Sequence, residues 1–102
     1  MKLTEFENKV IATLKKIPRG KVTTYKQIAK FIKKSKAARA VGNACNKNPW
    51  APRVPCHRVV KSDGRLGGYS GGAKRKIELL KREGILVGRG KIKDFKRKIF
   101  WF

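Results

Sequence analysis

A mainly helical domain with a small β-wing, a winged helix-turn-helix, is the fold that the sequence predicts. Two short helical segments separated by a tight basic turn predict the helix-turn-helix. The dipeptide Asp63-Gly64 between extended segments at Arg58–Lys61 and Arg65–Tyr69 predicts the hairpin of the wing. With 102 residues, 40% of them hydrophobic, the chain is long enough for a single domain with one core.

The first two helices are predicted from their caps and their periodicity. Helix one runs from Thr4 to Lys16, because Thr4 can cap it and apolar side chains recur every four residues from Phe6 to Leu14. Pro18 and Gly20 end it. A short extended piece, Lys21–Thr24, comes next, and Thr24 caps the second helix.

The remaining segments are predicted with decreasing detail towards the end of the chain. Lys36–Cys45 forms a third helix whose small residues allow close approach to a partner. A fourth helix runs over Gly72–Glu83, with Ile77 and Leu80 on one apolar face. The tail from Ile85 to Phe102 alternates lysines with apolar and aromatic residues and is expected to pack as an apolar strip, without a predicted secondary structure.

Charge narrows the class of partner. Lys and Arg number 28 against six Asp and Glu, a net charge of +22. Such a balance favours a polyanion, nucleic acid first and an anionic membrane surface second, and disfavours an ordinary small-metabolite enzyme. Because no apolar run approaches the length of a spanning helix and no signal peptide is evident, an intracellular, soluble protein without a membrane partner is expected.

The two cysteines point to thiol chemistry, because they are too few for a disulfide framework and too isolated for a zinc site. Cys56 follows Pro55 and precedes His57 and Arg58, a positive surrounding that is expected to lower the thiol pKa and favour a nucleophile. The alternative is a small buried hydrophobe, the usual role of a free cysteine. Cys45 is given that structural role.

Five motifs in order resemble the C-terminal, DNA-binding and active-site domain of the O6-alkylguanine-DNA alkyltransferases. The resemblance covers about residues 6–84 and leaves residues 85–102 as a basic and aromatic tail. The motifs are Gly20-Lys21-Val22-Thr23-Thr24-Tyr25, Ala38-Arg39-Ala40-Val41-Gly42, Asn48-Pro49, Pro55-Cys56-His57-Arg58-Val59 and Gly68-Tyr69-Ser70-Gly71-Gly72.

The resemblance implies a catalytic set. Cys56 matches the nucleophile that takes the alkyl group from guanine O6 and keeps it as a thioether. His57 matches the base that acts on the thiol through a water, and Glu83 matches the carboxylate that orients this histidine. Asn48 matches a residue that holds the active-site turn. Tyr25 matches the phenol that gives a proton or hydrogen bond to guanine N3.

The resemblance also implies a base-binding set. Val59 and Ser70 match positions that recognise the edge of the flipped base, while Gly67, Gly68 and Tyr69 match the wall of its pocket. These roles fit a reaction in which the alkylated base must leave the stack.

Arg39 matches the arginine that enters the stack in place of the guanine, and the small residues Ala38 and Gly42 allow close approach to the minor groove. Each of these residues also has a structural alternative. Arg39 could be only a phosphate contact, Tyr25 a staple of helix two, Glu83 a solvated residue and Ser70 a helix N-cap.

The function that the resemblance implies is that of a single-turnover DNA repair protein, which transfers an alkyl group irreversibly to Cys56. It would act as a monomer on double-stranded DNA containing O6-alkylguanine, with no cofactor and no metal. The usual N-terminal domain of full-length members is expected to be absent, a feature shared with alkyltransferase-like proteins, which flag the lesion without repairing it. A damage-binding module is therefore the main alternative, and an architectural DNA-binding domain with an inert cysteine is a third.

Overall fold

The computed structural model of the protein describes residues 2–102. None of the helices in this range is both long and apolar enough to cross a membrane. In chain order the elements are α1 (Glu5–Leu14), β1 (Thr23–Thr24), α2 (Tyr25–Phe31), α3 (Ala38–Asn46), a 3-10 turn (Cys56–Arg58), β2 (Val59–Val60), α4 (Ala73–Arg82), β3 (Val87–Gly88), β4 (Lys91–Ile92) and α5 (Phe95–Lys98).

The caps predicted for the first two helices are present. The Thr4 hydroxyl accepts a hydrogen bond from the Glu7 backbone N–H at 3.1 Å, and the Thr4 N–H donates to the Glu7 carboxylate at 2.9 Å, which forms a capping box. At α2 the Thr24 hydroxyl accepts from the Gln27 N–H at 3.0 Å. Both helices therefore begin where the local sequence places them.

Helices α2 and α3 form the helix-turn-helix, with α1 packed behind it. Val41, Ala44 and Cys45 of α3 are buried in one core cluster with apolar residues of α1 and α2. Helical periodicity then leaves Arg39 and Asn43 on the opposite, exposed face of α3. The fold is a winged helix-turn-helix, as predicted, and α3 presents its polar face away from α1.

The wing differs from the prediction in its pairing. The turn at Asp63-Gly64 forms, closed by a hydrogen bond from the Lys61 N–H to the Arg65 carbonyl at 2.9 Å. Beyond it, however, β2 pairs in parallel with β1 rather than with the segment after the turn. The predicted ladder between Arg58–Lys61 and Arg65–Tyr69 is wrong, because these two segments pair with strands distant in sequence. Val59 and Val60 pair with β1, and Arg65 pairs with Lys91.

The tail has a secondary structure that the sequence did not predict. Strands β3 and β4 make a hairpin whose turn residues, Arg89 and Gly90, both have positive φ, of 54° and 77°. Further on, Ile99 forms a parallel bridge with Val22 beside β1. Ile85 and Ile92 are buried in a second core cluster, whereas Trp101 is 61% exposed. The apolar strip thus packs over its first part and leaves its aromatic end on the surface.

Helix α4 buries a different face from the predicted one. Leu80 is buried as expected, but Ile77 is exposed, and Leu79 and Lys76 complete the buried face. The prediction for Ile77 was wrong because it assumed that no lysine of this helix would be buried, and the helix turns Lys76 inward in place of Ile77. Lys76 is fully buried, and its ammonium donates to backbone carbonyls beside the candidate site.

Candidate active site

Cys56 begins the 3-10 turn and is 4% exposed. The loop that leads to it is fixed by Asn48, whose Nδ2 donates to the Val54 carbonyl at 2.7 Å. The Asn48 Oδ1 in turn accepts from the Trp50 N–H at 3.0 Å. Because buried polar groups fully bonded in this way hold a defined geometry, the side chain of Asn48 sets the path of the backbone into Cys56.

His57 lies in a buried ionic cluster with Arg58 and Glu83. The His57 Nε2 is 2.9 Å from the Glu83 Oε2, and Arg58 donates from Nε and Nη2 to the two Glu83 oxygens, each at 2.8 Å. Arg58 also donates from Nη1 to the Ile17 carbonyl at 2.8 Å. Since the Glu83 side chain is only 6% exposed, the alternative of a solvated glutamate is wrong.

The protonation of this cluster is set by burial and hydrogen bonding. Burial opposes ionisation of Glu83, but hydrogen bonds from Arg58 and His57 outweigh it and lower the pKa of the carboxyl. Burial lowers the pKa of His57, although the bond to Glu83 opposes that change. A neutral His57 that donates through Nε2 keeps a lone pair on Nδ1. This buried Nδ1 has no hydrogen-bond partner among residues 2–102.

The thiol pKa differs from the prediction. Burial raises the pKa of Cys56, and a hydrogen bond with Asn48 and the charge of Lys76 offset only part of that rise. The expected lowering by His57 and Arg58 was wrong, because His57 is neutral and the Arg58 charge is neutralised by Glu83. Thiolate formation at Cys56 therefore needs a base or a change of surroundings.

Lys76 is a site residue that the sequence reasoning missed. Its Nζ donates to the carbonyls of Val59 at 2.7 Å, Leu66 at 2.6 Å and Gly68 at 3.1 Å. None of the carboxylates in residues 2–102 forms a salt bridge with it, and burial lowers the pKa of its ammonium to about 8. The available signal was its spacing, three and four residues before the buried Leu79 and Leu80 on one helix.

An open groove of about 420 Å³ lies over the exposed face of α3. It is lined by five of the residues that the resemblance singles out: Tyr25, Ala38, Arg39, Gly42 and Gly68. Five further residues, all polar, complete it: Lys26, Asn43, Asn46, Lys61 and Ser62. The groove is thus bounded by α2, α3 and the wing, and it carries three cations: Lys26, Arg39 and Lys61.

Tyr25 connects this groove to the buried site. Its hydroxyl donates to the Gly68 carbonyl at 3.4 Å, and its Oη would lie 2.9 Å from a Cβ added at Gly67, which has φ of +74°. Only glycine fits this position without a shift. Burial raises the pKa of Tyr25, so the phenol keeps its proton and acts as a hydrogen-bond donor at neutral pH.

The other proposed base-binding residues lie at different depths. Val59 is buried in β2, and Tyr69 is half-buried against the core cluster that contains Cys56. Ser70 is exposed in the turn before α4, without a hydrogen bond that would place it at the groove. Gly72 rather than Ser70 is the N-cap of α4, so the capping alternative for Ser70 is wrong. Cys45 is buried on α3, as predicted, and burial raises its pKa to about 12.

Comparison with known proteins places this geometry in a family. The family model described as "6-O-methylguanine DNA methyltransferase, DNA binding domain" matches residues 5–85. A methylated-DNA–protein-cysteine methyltransferase of Methanosarcina acetivorans is 53% identical over 81 residues, which are 79% of this chain and 52% of that protein. The Ada protein of Escherichia coli, a transcriptional activator and DNA repair enzyme, is 49% identical over 78% of this chain and 23% of its own length.

Solved structures agree with this assignment. Mycobacterium tuberculosis OGT in complex with DNA has a TM-score of 0.78 at 46% identity, covering 80% of this chain and 51% of that one. Schizosaccharomyces pombe Atl1, solved in complex with damaged DNA containing O6-carboxymethylguanine, has a TM-score of 0.84 at 31% identity and covers 98% of both chains.

The chain spans about a quarter to a half of the length of these two curated relatives. The matched region contains the groove, Cys56 and the His57–Glu83 pair, and it leaves the tail outside. Since the family model matches most of the sequence, the chain belongs to the 6-O-methylguanine DNA methyltransferase family, through its DNA-binding domain.

Proposed function

We propose that the protein repairs DNA inside the cell. It binds the minor groove of duplex DNA, flips out O6-alkylguanine and transfers the alkyl group irreversibly to Cys56. The observation that carries this proposal is the buried hydrogen bond between His57 and Glu83, which leaves the Nδ1 of His57 without a hydrogen-bond partner in the described part of the chain, one residue along from the Cys56 thiol. A neutral imidazole held in this tautomer is suited to act as a base.

Residues of the site account for the proton and the electron pair that move in the transfer. His57 accepts the thiol proton at Nδ1 through a bridging water, and Glu83 stabilises the imidazolium that results. The Cys56 sulfur then attacks the alkyl carbon, a carbon–sulfur bond forms, and the bond from that carbon to guanine O6 breaks. Tyr25 donates a hydrogen bond to guanine N3, which lowers the cost of the electron pair that returns to the base. The product is a thioether, so each protein reacts once.

The groove supplies the binding part of the proposal. Extrusion of a base costs a few kcal/mol, and a side chain that fills its place offsets part of this cost. Arg39 lies on the exposed face of α3 and lines the groove, with the small residues Ala38 and Gly42 on either side. Val59, Gly67, Gly68, Tyr69 and Ser70 would then form the pocket for the flipped base.

A second function is favoured by the likeness to Atl1 over 98% of both chains. In that function the protein binds the alkylated guanine and marks it for another repair system, without transfer. The raised pKa of Cys56 is compatible with this alternative, because a protonated thiol is a weak nucleophile. The presence of a thiol beside a base favours transfer as the first candidate.

The deciding experiment is incubation with a duplex oligonucleotide that contains O6-methylguanine, followed by intact mass and peptide mapping. We expect one methyl group, carried on Cys56. Cys56→Ala should abolish it, whereas the matched variant Cys45→Ala should keep it, because Cys45 is a buried core residue of α3 to which the resemblance assigns no role. An unmodified wild-type protein that still binds the lesion tightly would leave the damage-marking function instead.

Arg39 provides a test of base flipping. Arg39→Ala should slow transfer from duplex O6-methylguanine much more than transfer from free O6-benzylguanine, which needs no extrusion. Arg39→Lys keeps the charge but lacks the planar group that stacks, so it should restore binding better than transfer. Equal slowing of the duplex and free-base reactions by Arg39→Ala would mean that Arg39 supports the fold.

A further inference from the structure

The hairpin of the tail, residues 87–92, joins the wing by backbone pairing. The Ile92 N–H donates to the Gly64 carbonyl at 2.8 Å, and the Leu66 N–H donates to the Gly90 carbonyl at 2.9 Å. Arg65 and Lys91 form an antiparallel bridge between these bonds. The segment after the wing turn is therefore the edge of a small three-stranded sheet completed by β4 and β3.

Three exposed cations cluster on this sheet. Arg65 and Lys91 are neighbours across the bridge, and Arg89 stands at the tip of the hairpin. Asp63 partly offsets this charge, since its Oδ2 is 3.3 Å from the Arg65 Nε and its pKa is lowered by the hydrogen bond it accepts from the Arg65 N–H and by the charges of Arg65 and Lys91. The cluster therefore keeps a positive excess.

The cluster of Arg65, Arg89 and Lys91 lies next to the groove over α3. Lys61 and Ser62 line the groove immediately before the wing turn, and Arg65 comes immediately after it. A cationic strip thus runs from Arg39 and Lys61 in the groove to the tip of the tail hairpin. The positive φ of Arg89 and Gly90 gives the two-residue turn a twist matched to its strands, and this turn places Arg89 at the tip of the hairpin.

We propose that the tail hairpin is a second strand pair of the wing, and that Arg65, Arg89 and Lys91 contact phosphates of the same duplex beyond the groove. The inference rests on the proposed binding of duplex DNA and extends that footprint to Arg89 and Lys91, which lie outside the family match. Phosphate contacts of this kind add affinity without sequence preference. The tail then contributes binding and leaves the chemistry to the site around Cys56.

The test compares two triple variants that lose equal charge. Arg65→Gln, Arg89→Asn and Lys91→Gln remove the three cations, and asparagine suits the left-handed turn position. The control changes Lys9, Lys15 and Lys16 to Gln on and just after α1, which packs on the side of α3 opposite the groove. Affinity for an undamaged duplex is measured against salt concentration for both variants and the wild type.

We expect the log–log salt slope of the wing variant to become shallower by up to about 2.7, at about 0.9 for each lost phosphate contact, with no comparable change in the control. Equal slopes for the two variants would overturn the inference. Transfer from free O6-benzylguanine should be unchanged in both. A wild-type protein that does not bind duplex DNA at low salt would instead reject the proposed function itself, and melting curves verify that both variants fold.

Discussion

Two buried ionic centres in this protein hold their charge in different ways. In the first, the Glu83 carboxylate accepts from both His57 and Arg58, so that an anion and a cation face each other. In the second, the Lys76 ammonium has only three backbone carbonyls. The first centre is compensated by charge and the second only by dipoles.

The difference predicts that removing a charged group destabilises the first centre more than the second. Removing one partner of a compensated pair leaves the other as an uncompensated buried charge, which is strongly destabilising. Removing Lys76 instead relieves the protein of a buried charge while leaving three carbonyls without a donor, so the two effects partly cancel. Similar burial thus gives unequal sensitivity.

Glu83→Gln should have the largest effect. The substitution keeps the shape of the side chain but leaves Arg58 uncompensated, and we expect a loss of about 3–5 kcal/mol in the free energy of unfolding at pH 7. Urea titration followed by circular dichroism measures it. The control is Glu78→Gln in α4, the helix that ends just before Glu83. Glu78 is exposed and paired with Arg82 at 2.7 Å, and the expected loss is below about 1 kcal/mol. If both substitutions cost the same, the Glu83 centre does not depend on charge compensation.

Lys76→Met should cost less, about 1–2 kcal/mol at pH 7, because methionine fills the volume and removes the buried charge but cannot donate to the three carbonyls. Lys74→Met, an exposed change nearby in α4, should be near neutral. A loss at Lys76 as large as that of Glu83→Gln would contradict the comparison between the two centres.

The pH dependence of the free energy of unfolding gives a further comparison between the wild type and Lys76→Met. The ammonium pKa is about 8 in the folded protein against an ordinary value of 10.5. Between these values the unfolded chain keeps the proton that the folded protein has released, so wild-type stability rises with pH relative to the variant, by up to about 1.4 kcal/mol per pH unit. Lys76 interacts electrostatically with Cys45 and Cys56, so the pair is compared in a background that carries Cys45→Ala and Cys56→Ala, which removes both thiol titrations from the difference. A difference that stays constant from pH 8 to 10.5 would mean that the Lys76 pKa is not lowered.

Local signals account for the parts that the sequence predicted well. The capping box at Thr4 and the cap at Thr24 depend on residues three positions apart, and the apolar period of α1 lies within one helix. The local pattern around Cys56 also identified His57 as a candidate. Asn48 and Glu83, and with them the contact of His57 with Glu83 across 26 residues in sequence, came only from the resemblance.

The parts that were wrong depend on distant partners. The wing ladder failed because the partner of β2 is β1, about 36 residues earlier, and the partner of residues 64–66 is the tail. Lys76 was missed and Ile77 misplaced because a lysine enters a core only when acceptors from other segments meet its ammonium there. The thiol pKa likewise depends on Glu83, which neutralises Arg58 from another element.

The pairing of the tail with β1 has a consequence for how the chain folds. The Thr23 hydroxyl donates to the Phe100 carbonyl at 3.2 Å, a contact that closes a loop of 77 residues. The helix-turn-helix, by comparison, needs only contacts between neighbouring helices. Because long loops lose more entropy on closure, the tail is expected to dock after the helices and to detach before them. Partial opening of this molecule would therefore expose the edge of β1 and remove β3 and β4 from the wing while the helical core stays folded.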